Sequence, residues 1–217
     1  RTVAEQAECP VIQVESDIVV PVEVVSEKEE YSAATIRPKI QRNMDEYLTP
    51  VRRTKLRYPS VSMDFDRLDL SDMDGVLKTL NIDRSVSPQT DYPGGTSSAK
   101  RFLREFIQHK LEDYAERRND PSLGIQSHMS PYLHFGQISP VYIALQIQKE
   151  SKRYKQSVDA YLEELIVRRE LAINFVQYNA RYDSFESLHD WSKETLRQHE
   201  TDKRDTIYSL KELERAS

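Results

Sequence analysis

The run Gln126-Ser127-His128-Met129-Ser130-Pro131-Tyr132-Leu133-His134-Phe135-Gly136-Gln137-Ile138-Ser139-Pro140 lies between two helix-like stretches and limits how they can be joined. Two Ser-Pro pairs and little charge describe a rigid, hydroxyl-rich loop that leads into a helix. Serine is a favoured N-cap because its oxygen accepts from an otherwise orphan amide, and proline suits the next position, which needs no amide donor. A helix is therefore expected to begin at Ser139-Pro140. Its first turn offers unpaired amides to an anion, with Ser127, Ser130 and Gly136 as further donors. An ordinary loop and cap between two packed helices accounts for the same residues.

After residue 97 the pattern is helical throughout. Leu103, Phe106, Ile107, Leu111 and Tyr114 recur at three- and four-residue steps over 98–118, and 140–150 and 157–178 read as further helices. The stretch 183–189 is loop-like, and 191–199 resumes a helical pattern. Before it, 85–96 carries Pro88, Pro93, Gly94 and Gly95 and reads as a linker, with a short helix expected over 72–80. At the other end, 11–15 and 18–25 are β-branched runs, the second containing Pro21, and read as one or two strands with the first buried. Two strands make no independent sheet, and the start at Arg1 adds to the expectation that the chain opens partway through an α/β domain.

Composition excludes several classes. No apolar stretch approaches a membrane span, the first residues do not form a signal peptide, and the lone Cys9 allows neither an internal disulfide nor a cysteine-based zinc site. The net charge of −5 argues against nucleic-acid binding by bulk electrostatics. Residues 1–95 carry 12 Lys+Arg against 17 Asp+Glu and residues 96–217 carry 19 of each, so any DNA contact is expected from a local basic face. The five histidines match no strong zinc spacing, and no metal site is expected.

Two constellations carry potential chemistry. Tyr114 and Arg118 are four apart on one helical face; they are either a core tyrosine with its neighbour or contacts to a ligand held against the Ser127–Ser130 loop. On 157–178, a regular helix puts Tyr161, Leu162, Leu165, Ala172 and Val176 in a core stripe and Glu164, Arg168, Leu171 and Phe175 in the next one. Glu164 and Arg168 then form either a surface ion pair or the polar lining of a pocket, where a carboxylate accepts from an imide or hands over a proton.

The loop 127–139 resembles the flavin-binding segment of the photolyase and cryptochrome superfamily. The run Tyr161-Leu162-Glu163-Glu164-Leu165-Ile166-Val167-Arg168-Arg169-Glu170-Leu171-Ala172 is similar to its class II branch of cyclobutane pyrimidine dimer photolyases, as are Tyr114 to Asp120, Trp191 to Arg204, and Glu30 to Lys39. The resemblance implies an α/β remnant followed by an all-α region. Residues 1–45 would be the end of an N-terminal α/β antenna domain, 46–96 an interdomain linker, and 97–217 the first half of a helical FAD-binding domain. A partial chain is implied, since the family pattern extends further on both sides.

It also implies a light-driven DNA photolyase, a carbon–carbon lyase that uses FAD, with a possible second antenna chromophore. Damaged DNA would be the partner, the complete protein monomeric, and its location cytoplasmic, or nuclear in a eukaryote. Tyr114, Arg118, Gln126, Ser127, His128, Met129 and Ser130 would contact FAD. Glu164 would be the catalytic carboxylate at the dimer, and Glu163, Arg168 and Asn174 would also contact DNA or lesion. Ile173 departs from the acidic residue usual in that run. A cryptochrome-like blue-light sensor and a helical interaction module without flavin are the alternatives.

Overall fold

The structure, a computed structural model, describes residues 2–12, 14–51, 54–58, 63, 69–87 and 89–215. Gln13 of the first expected strand and Pro88 of the linker lie outside them. In chain order the helices are α1 (Thr2–Gln6), α2 (Val22–Val25), α3 (Ala33–Tyr47), α4 (Met73–Thr79), α5 (Thr96–His109), α6 (Tyr114–Arg117), α7 (Ser130–His134), α8 (Pro140–Gln148) and α9 (Lys155–Leu162). A π-helical segment (Glu163–Arg168) then runs into α10 (Arg169–Tyr178), followed by α11 (Asp190–Gln198) and α12 (Leu210–Arg215). One hydrophobic core joins Val19, Val20 and Val25 to Ile36 and Ile40 of α3, Leu103 and Phe106 of α5, Tyr132 of α7, Ile143 and Ile147 of α8, and Val158, Tyr161 and Ile166. Each such aliphatic or aromatic side chain contributes about 1.5–3 kcal/mol on leaving water.

Local signals hold where they were strongest. Ser139 caps α8 by accepting from the Tyr142 amide, and Asp72 caps α4 by accepting from Gly75 N at 2.9 Å. The loop before α8 owes its shape to a Schellman closure of α7: Gly136 N donates to Leu133 O, Gln137 N donates to Tyr132 O, and Gly136 sits at φ 62°, which only glycine adopts freely. Gln137 then accepts from Gly95 N at 2.7 Å, and Tyr132 Oη donates to Pro93 O at 3.1 Å, so the loop is pinned to the start of α5.

The strand expectations are corrected. Among the described residues there is no strand; Val11, Ile12 and Val14 are exposed, and Val22–Val25 form a helical turn behind Pro21. Ile18, Val19, Val20, Val22 and Val25 of that run are nevertheless buried, and backbone groups of the segment find partners on a helix instead of a neighbouring strand. Glu170 Oε1 accepts from Val19 N at 2.8 Å and Val20 N at 3.2 Å. Asn174 accepts from Glu30 N at 2.7 Å and donates to Lys28 O at 3.1 Å, and Tyr178 Oη donates to Ser26 O at 2.7 Å. Residues four apart on α10 thus act as a polar ladder for an extended segment. Residues 18–40 accordingly share the core of the helical region.

The helix expected over 98–118 is two helices. It stops at His109, where the amides of Lys110 and Leu111 both donate to Phe106 O, and Leu111 turns fully into the core. Ser157 Oγ rebuilds the chain beyond the break, donating to Glu112 O at 2.9 Å and accepting from Ala115 N at 3.1 Å. The helix expected over 157–178 is likewise interrupted, by the π segment. One wider turn rotates everything after it by about 100°. The buried face passes from Val158 and Tyr161 through Leu165, Ile166 and Val167 to Glu170 and Asn174, which leaves Ala172 and Val176 of the expected stripe exposed.

Candidate flavin and lesion cleft

Packing α6 against α9 places Tyr114 beside Tyr161, their rings 5.2 Å apart, with Phe106 behind both at 5.5 and 5.0 Å. The loop into α7 closes over this cluster, where Tyr161 Oη donates to Ser127 Oγ at 3.0 Å. The result is a cleft of about 420 Å³ lined by Tyr114, Ser127, Met129, Ser130, Leu133, His134, Tyr161, Glu164, Leu165 and Arg169. That volume is typical of small-molecule sites, which span roughly 300–1,000 Å³. Burial pushes both tyrosine hydroxyls above their ordinary values, so they stay protonated donors.

Arg118 stands at the edge of the cleft. Its Nη1 donates to Glu164 Oε1 at 2.9 Å, and its guanidinium lies 5.7 Å from the Tyr114 ring centre. Burial works against its charge, but the bonds to Tyr114 and Glu164 prevail and raise its pKa. The pairing expected between Glu164 and Arg168 does not form, because the π turn separates them. Arg168 is instead 3.6 Å from Glu163, and Glu163 receives a two-point grip from Arg37 of α3, at 3.0 Å from Nε and 2.7 Å from Nη2.

The cleft therefore gathers Tyr114, Ser127, Met129, Ser130 and Glu164 from three parts of the sequence, with Arg118 beside them. Gln126 and His128, expected with them, do not line this cleft. Gln126 Nε2 donates to the Arg118 carbonyl, and His128, at φ 56°, pairs through Nδ1 with Tyr92 Oη at 3.1 Å. Both line an adjoining cavity of about 210 Å³ with Phe102 and Lys110. Burial, with Lys110 nearby, lowers the His128 pKa. Asn174 is also corrected: it is fully buried on the ladder to residues 28–30, which leaves it no path to DNA. Arg168 lies in a second groove with Tyr31, Phe175 and Trp191.

Leu133, His134, Tyr161, Leu165 and Arg169 were not expected in the cleft. Regular helical periodicity assigned Tyr161 and Leu165 to the core, where one side of each does pack. Arg169 carried no separate signal beside Arg168, yet its Nη1 is buried without a hydrogen-bond partner. An orphan guanidinium nitrogen, hydroxyls of two serines and buried phenols form a donor set suited to an anionic, aromatic cofactor such as FAD. Among the described residues no group of three or more His, Cys, Asp or Glu is arranged to hold a metal, and no helix is long and apolar enough to cross a membrane.

The chain is similar to curated proteins over most of its own length. No family model matches it. It is similar to proteins named deoxyribodipyrimidine photo-lyase, with 43% identity over 211 residues to that of Methanothermobacter thermautotrophicus, 39% over 205 residues to that of Potorous tridactylus and 38% over 210 residues to that of Oryza sativa. These matches cover 94–96% of this chain but 38–44% of the relatives, so the chain spans about two fifths of their length.

Proposed function

We infer that this chain forms one wall of the flavin and lesion site of a class II DNA photolyase, which splits cyclobutane pyrimidine dimers in light. The observation that carries this reading is the convergence of Tyr114, Ser127, Met129, Ser130 and Glu164 on one cleft, with the Arg118–Glu164 pair at 2.9 Å. The names of the relatives support it. In this reading residues 1–45 end an α/β antenna domain, 46–96 link it onward, and 97–217 begin the helical FAD domain. In the same reading, the packing of residues 18–40 against the helical core would be a contact between those two domains.

The residues divide the work by chemistry. The Ser127 and Ser130 hydroxyls, the Tyr114 phenol and the Arg169 guanidinium would hold FAD by its polar and anionic edges. Reduced FAD, when bound, supplies the electron that opens the cyclobutane ring. Glu164, half-exposed at the mouth of the cleft, is placed to accept from a pyrimidine imide or to move a proton at its carboxylate oxygens. Arg118 orients that carboxylate through the 2.9 Å bond and adds positive charge for a dimer that must leave the base stack to be reached.

An absorption spectrum of the intact protein, followed by repair of dimer-containing DNA in light and in darkness, tests the reading. Flavin absorbance with repair only under illumination is expected. Flavin without repair selects the blue-light sensor, and absence of flavin overturns both photochemical readings in favour of a helical interaction module. The second chromophore and a monomeric state belong to the same proposal and are read from that spectrum and from sedimentation.

A further inference from the structure

Glu163 and Glu164 are consecutive carboxylates on the π segment, and arginines from different helical elements sort them. Arg37, from 126 positions earlier in the chain, grips both oxygens of Glu163, whereas Arg118 takes Glu164 by a single bond. The Glu163 side chain is 24% exposed and does not line the cleft; that of Glu164 is 44% exposed and does. The two sites are electrostatically close. The Arg37 bond holds the Glu163 carboxyl below its usual range, and Arg168 and Arg118 add to that pull.

We propose that Arg37 is a positioning residue for the cleft: by holding Glu163 on α3, it prevents that carboxylate from competing with Glu164 for Arg118. A fork that satisfies two oxygens at 3.0 and 2.7 Å is the geometry at which arginine outperforms a single-point cation. Released, Glu163 would remain one residue from Glu164 and within the field of Arg118 and Arg168. Two carboxylates would then share the guanidinium that orients one of them. Arg37 touches neither substrate nor cofactor in this role, and its effect passes wholly through Glu163.

That dependence gives an unusual double-variant signature. Arg37→Gln is expected to displace the Arg118 guanidinium resonances in heteronuclear NMR spectra and, in the intact protein, to lower the light-driven repair rate about three- to tenfold. Adding Glu163→Gln, which removes the competing charge, should restore the Arg118 resonances and recover most of the rate. A purely structural pair behaves oppositely, because the double variant still lacks the pair and regains nothing. Arg37→Lys keeps the charge without the fork. It should show a smaller loss that Glu163→Gln again relieves, and it serves if Arg37→Gln does not fold. Unchanged Arg118 resonances in the Arg37 variants, or no recovery in the double variants, overturn the proposal. The repair arm rests on the photolyase reading, but the NMR arm does not; a wild-type protein without repair therefore refutes that reading while the Arg37 inference is still decided by Arg118.

Discussion

The two helices on either side of the π segment bury faces of opposite chemistry. Before it, α9 turns Val158 and Tyr161 inward and forms the floor of the cleft. After it, α10 turns Glu170 and Asn174 inward and supplies partners to backbone groups of Val19, Val20, Lys28 and Glu30. The contrast teaches that one helical run can serve a ligand site and a scaffold because its register changes between them. On the cleft side Tyr161 bonds Ser127 and Glu164 bonds Arg118, while Arg169 Nη1 has no hydrogen-bond partner. On the scaffold side almost all polar groups are consumed internally, Glu170 Oε2 being buried without a partner.

Removing a rung of the scaffold ladder is the strongest way to break that contrast. Asn174→Ala strips partners from Glu30 N and Lys28 O inside the protein, and a loss of roughly 3–5 kcal/mol in urea unfolding is expected. Glu170 gives a pH test. Burial pushes its carboxyl from 4.5 up to about 7, against the pull of the Val19 and Val20 amides. The folded chain then keeps this proton to higher pH than the unfolded chain. Its contribution is fullest below about pH 4.5 and is lost as pH rises to about 7, a fall of roughly 2–4 kcal/mol. Glu170→Gln should flatten that part of the pH profile; an unchanged slope between pH 5 and pH 8 would assign it to another group.

Away from the ladder, the expected effects on stability are smaller. Ser139→Ala removes the cap of α8 and is expected to cost about 1 kcal/mol, read as a lower denaturation midpoint. Glu164→Ala breaks a half-exposed pair and should change stability by less than about 1 kcal/mol. In the intact protein it should nevertheless reduce repair more than flavin content. Equal loss of both would move Glu164 from the lesion to the cofactor.

Helix starts were legible because capping is local. Ser139-Pro140 and Asp72 needed only their own neighbours, and the amphipathic steps at Leu103 and Phe106 marked a true core face. The run 18–25 misled because β-branched residues signal burial as much as strand, and here a helix supplied the partners that a strand would have offered. Gln126 and His128 lie outside the cleft for a different reason. They belong to the loop that lines the cleft, but His128, at a positive φ, pairs its ring with Tyr92 instead.

Short-range chemistry by itself determined where α4, α5, α8, α9 and α11 begin to within about two residues, which residues are apolar enough to be buried, and that Ser127, Ser130, Tyr114 and Glu164 belong to plausible sites. Tertiary structure decided which carboxylate meets which arginine. Arg118 reaches Glu164 across 46 positions and Arg37 reaches Glu163 across 126, contacts that no periodicity encodes. It also decided the π turn, since one extra residue in a turn is a small local change whose value lies in aligning both faces of the run with partners elsewhere. The loop 127–139 was recognisable as a turn into a helix; it became a wall of a cleft only when α6 and α9 packed beside it.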